Sequence, residues 1–138
     1  GAKGEETKQL VKELALEKNV HLMGLVNYSE TPQIYNSSEF LVHVFTYDAT
    51  TSSSLIDSMA VGKAIIATSI GEIPNIVNGA GVLIPENNIQ ALANEMNQLI
   101  ENPTLRKELG EKARKIALER FSLQKTVDEL EELYSKIQ

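Results

Sequence analysis

The chain has 138 residues, of which 42% are hydrophobic and 23% charged, a composition typical of one soluble globular domain. Its formal net charge of -6 disfavours nucleic acid and anionic membranes as partners, and the absence of cysteine excludes disulfides and thiolate metal sites. No apolar run approaches the roughly 20 residues that a membrane-spanning helix requires. We therefore expect a cytoplasmic domain with no membrane span, no metal and no nucleic-acid partner.

The first part of the chain predicts a helix followed by a short strand. Residues 5–18 carry an apolar stripe at helical spacing, and Asn19 is expected to end that helix. The apolar run at 20–23 predicts a strand, with a turn at Gly24. A doubly wound domain normally opens with a strand. A leading helix therefore suggests a fragment of a longer chain.

Strands and helices then alternate. A short helix is expected from Ser29 or Thr31 to about Asn36. Further strands are predicted at 40–45, 63–68 and 82–84, and further helices from about Ser52–Ser54 to Gly62 and at 73–77, 88–101, 103–120 and 123–137. Four strands alternating with helices predict right-handed βαβ units and a parallel sheet in a Rossmann-like three-layer α/β/α fold. We expect one domain over 1–138, closed by the helices of 103–138.

The helix at 88–101 is amphipathic. Its apolar positions are Ile89, Leu92, Ala93, Met96, Leu99 and Ile100. These residues form its apolar side.

The most suggestive local feature is a hydroxyl-rich turn between the strand at 40–45 and the helix that follows it. It contains Thr50, Thr51, Ser52, Ser53 and Ser54. Hydroxyls and free amides at a helix start can hold a phosphate, and open α/β sheets bind ligands at this edge. The same residues also favour a simple N-cap with solvated serines. Composition alone leaves both interpretations open.

Three other polar residues are candidates for a role in binding or catalysis. Asp57 lies one turn into the helix, where its carboxylate suits either a ribose diol or a dipole-stabilised surface position. His43 lies inside an apolar strand and is better explained as a hydrogen-bonded core histidine than as a catalytic one. Asp48 lies in the turn and is either a loop residue or part of a cleft. Without a Ser-His-Asp or His-x-x-x-His arrangement, the residues alone predict only an anion-binding α/β domain.

Several segments between residues 20 and 134 resemble the C-terminal domain of GT-B retaining glycosyltransferases of family 4, the "group 1" class. The segments and the patterns that they resemble are Val20–Val26 (V-x-F-x-G-x-V), Ile34–Val44 (L-Y-x-x-A-D-V-x-V), Asp57–Thr68 (E-A-M-A-x-G-x-P-V-I-A-T), Ile70–Val77 (G-G-x-P-E-x-V), Asn78–Pro85 (N-G-x-L-V-P), and Arg120–Ser122 with Tyr134 (R-F-S-W and a late Tyr). Their order and spacing follow the family throughout.

The resemblance implies that this domain binds a nucleotide-sugar donor, UDP- or GDP-linked, as a substrate and without a further cofactor. Asp57 aligns with the second acid of the family's E-x7-E signature and would bind the ribose. The backbone at Thr51 and Ser52, with neighbouring Thr50 and Ser53, would face the diphosphate. The residues expected beside the base are Met23, Gly24, Leu25 and Val26, and those expected to line the cleft are Gly71 and Glu72.

The chain departs from the family at one important position. The first acid of the signature aligns with Ala49, which cannot hydrogen-bond a sugar, and adjacent Asp48 is the only nearby substitute. The family's N-terminal acceptor domain and first strands are also not in this chain. We therefore expect the 138 residues alone to be inactive, with any glycan or lipid acceptor, and any peripheral membrane contact, supplied by the absent domain.

Three functions remain open at this stage. The first is the donor-binding half of a retaining hexosyltransferase acting on a glycan, lipid or small acceptor. The second is a degenerate GT-B domain that binds without transferring. The third, less favoured, is a fragment of a sugar-nucleotide epimerase of related architecture.

Overall fold

The computed structural model describes residues 4–46 and 52–137. The chain divides into two compact units, Gly1–Thr31 and Pro32–Gln138, here called unit 1 and unit 2. The helices are α1 (Gly4–Glu13), α2 (Thr31–Ser37), α3 (Ser53–Ala60), α4 (Ile73–Val77), α5 (Ile89–Glu101), α6 (Pro103–Arg120) and α7 (Leu123–Ser135), with a 3₁₀ turn at Tyr28–Glu30. The expectation of a single domain stays a prediction.

In unit 1, helix α1 ends earlier than the sequence predicts. It ends at Glu13 and not at Lys18, because Ala15 adopts a left-handed conformation with φ 53°. The amide of Ala15 then donates to the carbonyl of Lys12, and that of Leu16 to Val11. This is the Schellman pattern of helix termination, with alanine where glycine is usual. The apolar spacing beyond Glu13 gave no sign of it.

The prediction of a strand at 20–23 is wrong. These residues have no regular secondary structure, although Gly24 does turn with φ 68°. A strand is stabilised by hydrogen bonds to a neighbouring strand, and the three strands of the described residues pair only with one another. A short apolar run shows a propensity for extended structure but cannot supply the partner.

In unit 2 the three remaining strands form where they were expected, with small differences at the ends. They are β1 (Phe40–His43), β2 (Ala64–Thr68) and β3 (Val82–Ile84). They pair in the order β1-β2-β3, all parallel. His43 lies opposite Ala67, and Thr68 lies opposite Ile84. Parallel strands place all their carboxyl ends, and the loops that follow them, at one edge of the sheet.

The helices of unit 2 cover both faces of this sheet. On one face Ile65 and Ala67 of β2 pack in a core cluster whose helical members come from α3, α4 and α6. On the other face Ala64 and Ile66 pack against Leu99 of α5 and other apolar residues. Every residue of β2 is buried, as in the centre of a parallel sheet. The predicted three-layer α/β/α arrangement is confirmed.

Helix α6 ties these layers together through three arginines. Arg106 donates to the carbonyls of Leu99 and Ile100 at the end of α5, and forms an ion pair of 2.9 Å with Glu39. Arg114 donates to the carbonyl of Ala60 at the end of α3, and Arg120 to a carbonyl of α4 at 2.7 Å. The carbonyls at helix ends lack intrahelical donors, and a cationic donor suits them. Helix α6 thereby fixes the helices that flank the sheet.

Helix α7 follows its predicted start, with the hydroxyl of Ser122 accepting from the amide of Lys125. It has no buried residue. Within residues 4–46 and 52–137, no helix is long and apolar enough to cross a membrane.

Candidate functional site

The candidate site is the edge of unit 2 where β1 and β2 end. The next helix along the chain is α3 after β1 and α4 after β2. Because β1 and β2 are adjacent and parallel, the chain leaves both strands at the same edge of the sheet. The start of α3, at Ser52 and Ser53, and the residues before α4, Gly71 and Glu72, therefore lie near this edge, and Asp57 lies one turn into α3.

Ser52 is the N-cap of α3. Its side-chain oxygen accepts from the amide of Leu55 at 3.3 Å and lies 3.2 Å from the hydroxyl oxygen of Ser54. Ser52 is buried, whereas Ser53 and Ser54 are exposed. Its hydroxyl therefore serves the helix. The amides of Ser53 and Ser54 precede the first hydrogen bonds of the helix, which Leu55 and Ile56 donate to the carbonyl of Ser52, and they are the amides that a ligand can use here.

Asp57 lies one turn into α3 and is half-buried. Its carbonyl accepts from the amide of Val61, where the helix ends before Gly62. The residue next to it, Ser58, is fully buried. Asp57 is thus held on a helix whose start and end are both capped, a rigid support for a binding carboxylate.

His43, the last residue of β1, is linked to α3 by a hydrogen bond. Its Nε2 lies 2.8 Å from the hydroxyl oxygen of Ser58, and its ring stacks on Phe45 with centroids 6.2 Å apart. Burial lowers the pKa of His43 below its ordinary value, so the imidazole is neutral at pH 7. The expected hydrogen bond of His43 is present, and its side chain is half-buried beside the core.

The shifted pKa predicts how acid affects stability. The unfolded chain takes up a proton at His43 more readily than the folded chain does, so the stability given by neutral His43 is fully present above the unfolded pKa. It is lost as the pH falls from that value towards the lower folded pKa. Urea unfolding at about pH 7.5 and about pH 5.5 should show a larger loss for the wild type than for His43→Gln. His21→Gln, at an exposed histidine of unit 1, is the control; equal losses in wild type and His43→Gln would contradict the prediction.

Thr68, the last residue of β2, holds the backbone of Phe45 at both polar groups. Its hydroxyl oxygen accepts from the amide of Phe45 at 2.8 Å and donates to the carbonyl of Phe45 at 3.1 Å. Thr68 is fully buried. Sequence reasoning did not identify this role; the only signal was a hydroxyl at the end of an otherwise apolar strand.

Gly71 and Glu72 form the turn after β2. Gly71 has φ 51°, a left-handed conformation that favours glycine, and Glu72 is the residue before α4. The carboxylate of Glu72 accepts from the side-chain amide of Asn75 at 3.0 Å, and both Gly71 and Glu72 are exposed. Their assignment to a ligand cleft stays a prediction.

Two groups of predicted site residues remain, one outside the described residues and one in unit 1. Asp48, Ala49, Thr50 and Thr51 lie outside the described residues. Met23, Gly24, Leu25 and Val26 belong to unit 1, where Met23 and Gly24 line a cavity of about 490 Å³. The other lining residues are Gly4, Thr7, Lys8, His21 and Leu22. The side chain of Leu25 is fully exposed.

Comparison with known proteins identifies the family. Residues 1–116 match the family described as "Glycosyl transferases group 1". The chain belongs to this family. The resemblance read from the sequence is confirmed, and the parallel sheet with helices on both faces is the Rossmann-like fold of GT-B glycosyltransferases.

Individual relatives agree with this assignment. An uncharacterized glycosyltransferase of Methanocaldococcus jannaschii is 30% identical, over 97% of this chain and 35% of that protein. The poly(ribitol-phosphate) alpha-N-acetylglucosaminyltransferase of Staphylococcus aureus is 27% identical, over 98% of this chain and 27% of that protein. The crystal structure of Anabaena HepE in complex with UDP has a TM-score of 0.88 and 25% identity, over 96% of this chain and 36% of HepE. This group 1 chain thus spans about a third of the length of these relatives or less.

No group of three or more His, Cys, Asp or Glu side chains suited to a metal ion occurs in the part of this group 1 chain that the structure describes. Among the described residues, the candidate edge offers backbone amides, hydroxyls and the carboxylates of Asp57 and Glu72. Such groups bind polar and anionic ligands by hydrogen bonding. The donor-binding roles of the individual residues stay predictions.

Proposed function

We propose that this chain is the donor-binding part of a retaining hexosyltransferase that uses a UDP- or GDP-sugar. The observation that carries the proposal is the likeness to HepE, whose crystal structures contain UDP and UDP-glucose. The same edge of unit 2 carries a capped helix start and the carboxylate of Asp57. The donor is the substrate, and no further cofactor is needed.

Each part of the edge has a role in this proposal. The amides at the start of α3, at Ser53 and its neighbours, bind the diphosphate and stabilise its charge as it leaves the sugar. Asp57 accepts hydrogen bonds from the ribose hydroxyls. Gly71 and Glu72 line the cleft, and the expected place of Met23 to Val26 beside the base stays a prediction. Thr50 and Thr51 complete the diphosphate contacts.

The acceptor, a glycan, a lipid or a small molecule, is bound outside these 138 residues. Closure of a second domain over the donor would exclude water and complete the site. In enzymes whose domains close, the binding energy of the substrate drives this closure. The 138 residues alone are then inactive. The enzyme is cytoplasmic, and any membrane contact is peripheral and made by the second domain.

One observation favours a second candidate function. Ala49 stands where the family has its first acid, and alanine offers no group to a sugar hydroxyl. A chain that binds the nucleotide but transfers no sugar would be a degenerate GT-B domain. Sugar transfer by the full-length protein would exclude this candidate, and nucleotide binding without transfer would favour it. If transfer depends on Asp48, the neighbouring carboxylate has taken the place of the first acid.

Calorimetric titration of the full-length protein with UDP, GDP and ADP tests the donor site. We expect one of these nucleotides to bind with a Kd of about 1 mM or tighter. Asp57→Ala should weaken that binding about tenfold to a hundredfold, because hydrogen bonds to a charged group contribute roughly 1.5–3 kcal/mol.

Asp128→Ala is the matched control, because Asp128 also lies on a helix but at the exposed surface of α7. It should bind like the wild type. Absence of nucleotide binding by the full-length protein would contradict the proposed function. Unchanged affinity in Asp57→Ala would contradict the role of Asp57. Sugar transfer by the 138 residues alone would contradict their expected inactivity.

A further inference from the structure

Two buried hydroxyls fix the chain on either side of the turn between β1 and α3. On the strand side, the backbone pairing of β1 with β2 ends at His43 and Ala67. Beyond this pair, the hydroxyl of Thr68 bonds both polar groups of the Phe45 backbone, accepting from the amide at 2.8 Å and donating to the carbonyl at 3.1 Å. A threonine hydroxyl has one hydrogen to donate, and Thr68 donates it to the carbonyl of Phe45.

On the helix side, Ser58 is the buried hydroxyl. It donates its hydrogen to the carbonyl of Ser54 at 2.7 Å, in the first turn of α3. Because a serine hydroxyl has one hydrogen, its oxygen must accept the hydrogen bond from His43, whose Nε2 lies 2.8 Å away. This assigns to His43 the tautomer with the proton on Nε2. The last residue of β1 is thereby joined to the first turn of α3.

We propose that Thr68 and His43 are positioning residues of the donor site, which hold the exit of β1 and the first turn of α3 in place before the nucleotide binds. This inference rests on the proposed function. Neither residue touches the ligand in this scheme. Thr68 acts through the backbone of Phe45, and His43 acts through Ser58.

Preorganisation is the physical reason. Amides that bind a diphosphate are effective only if they already point at it, since reorienting them would cost part of the binding free energy. Both hydrogen bonds involve buried hydroxyls, since Thr68 and Ser58 are fully buried. A valine at position 68 fills the same volume but leaves the amide and carbonyl of Phe45 without these partners.

A purely structural role makes a different prediction from a positioning role. Loss of a structural hydrogen bond lowers the melting temperature but leaves the affinity of the folded molecules unchanged. Loss of a positioning hydrogen bond weakens nucleotide affinity even where all molecules are folded. A conservative variant that keeps the hydroxyl should restore affinity in the second case.

The test is calorimetric titration of the full-length protein with UDP, GDP and ADP, well below the melting temperature, in the wild type, Thr68→Val and Thr68→Ser. We expect Thr68→Val to raise the Kd of the bound nucleotide about tenfold, at unchanged stoichiometry, and Thr68→Ser to stay within about threefold of the wild type. Thr126→Val is the control, because the hydroxyl of Thr126 lies on the exposed surface of α7. It should bind like the wild type.

A parallel series tests His43. His43→Phe removes the donor and should weaken binding, whereas His43→Gln supplies a side-chain N–H and should retain more of the affinity. Long-range proton–nitrogen NMR of the wild type should show the Nε2-protonated tautomer at His43. Ser58→Ala should alter that signature, and Ser135→Ala, which removes an exposed serine that donates to its own helix, should not.

The outcomes separate this inference from the proposed function. If the wild type binds none of the three nucleotides, the proposed function fails and the inference fails with it. If the wild type binds and Thr68→Val binds equally well, only the inference is overturned. Equal weakening in Thr68→Val and Thr68→Ser would also overturn it, because the hydroxyl would then not be the cause.

Discussion

Replacing Gly110 by alanine should lower the free energy of unfolding by about 3 kcal/mol, at the upper end of what overpacking usually costs. Gly110 lies in the middle of α6 and is buried. A Cβ atom there would lie 2.2 Å from the carbonyl oxygen of Gly62 and 3.0 Å from its carbonyl carbon. These are backbone atoms, so no side-chain rotation can relieve the overlap.

The strain would fall where α3 turns into β2. Gly62 itself has φ 74° and follows the end of α3, so an alternative backbone conformation there is restricted. Relief therefore requires α6 to move away from this turn, at the expense of its packing on α3 and β2. The higher helix propensity of alanine offsets only about 1 kcal/mol.

Urea unfolding measures the effect as a shift in the midpoint at constant slope. Gly4→Ala is the control, because Gly4 also lies in a helix and its added Cβ would meet no atom within 4 Å. That variant should change stability by less than about 0.5 kcal/mol. A loss below about 1 kcal/mol in Gly110→Ala would show that α6 can shift freely, contrary to the expected tight crossing.

Gly110 also shows what the sequence could not reveal. Gly62 was expected to end a helix, because a glycine after an apolar helical run is a local signal. Gly110 carries no local signal, since a glycine inside a helical pattern only weakens the prediction of a helix. Its function is to allow close approach by a turn 48 positions away in sequence, which only the folded chain brings next to it.

The same distinction explains the two errors in unit 1. The helices that were predicted well have local capping residues, such as Asn102 before Pro103 at the start of α6. The strand at 20–23 depended on a partner strand that the run itself cannot specify. The end of α1 depended on a left-handed alanine, a conformation that alanine adopts only at some cost.

At the candidate site, the sequence predicted the strands and the start of α3 but not the hydrogen bonds that hold them. The turn after β1 and the start of α3 could be located, because apolar runs and hydroxyl-rich turns are visible in one dimension. Ser52 was predicted as a cap or as a phosphate ligand, and the structure shows that its hydroxyl caps α3. The roles of Thr68 and Ser58 depend on contacts with residues 23 and 15 positions away, so neither could be predicted from local pattern.

A core substitution in α5 gives the second large effect, with its control in the adjacent residue. Leu99 and Ile100 are both apolar positions of the amphipathic pattern, yet Leu99 is fully buried and Ile100 is 59% exposed. Successive helical residues point about 100° apart, so the apolar stripe of α5 includes one and not the other. Leu99 packs in the cluster on the α5 face of the sheet, with Ala64, Ile66 and Ile84.

Leu99→Ala should therefore lower the free energy of unfolding by about 3 kcal/mol, the transfer and cavity cost of a buried leucine. Ile100→Ala should cost less than about 1 kcal/mol, because most of its side chain is already in water. Urea unfolding of the two variants measures both values. Equal losses would contradict the burial difference on which the prediction rests.

Leu99→Ala also distinguishes an effect on core stability from an effect on the proposed donor site. The cavity would open on the face covered by α5, whereas α3 and its capped first turn lie on the other face. Where Leu99→Ala is still folded, its affinity for the bound nucleotide should equal that of the wild type, although it is the less stable protein. Thr68→Val should weaken nucleotide affinity as well as stability, since it removes no core volume but releases the backbone of Phe45 at the edge where the nucleotide would bind.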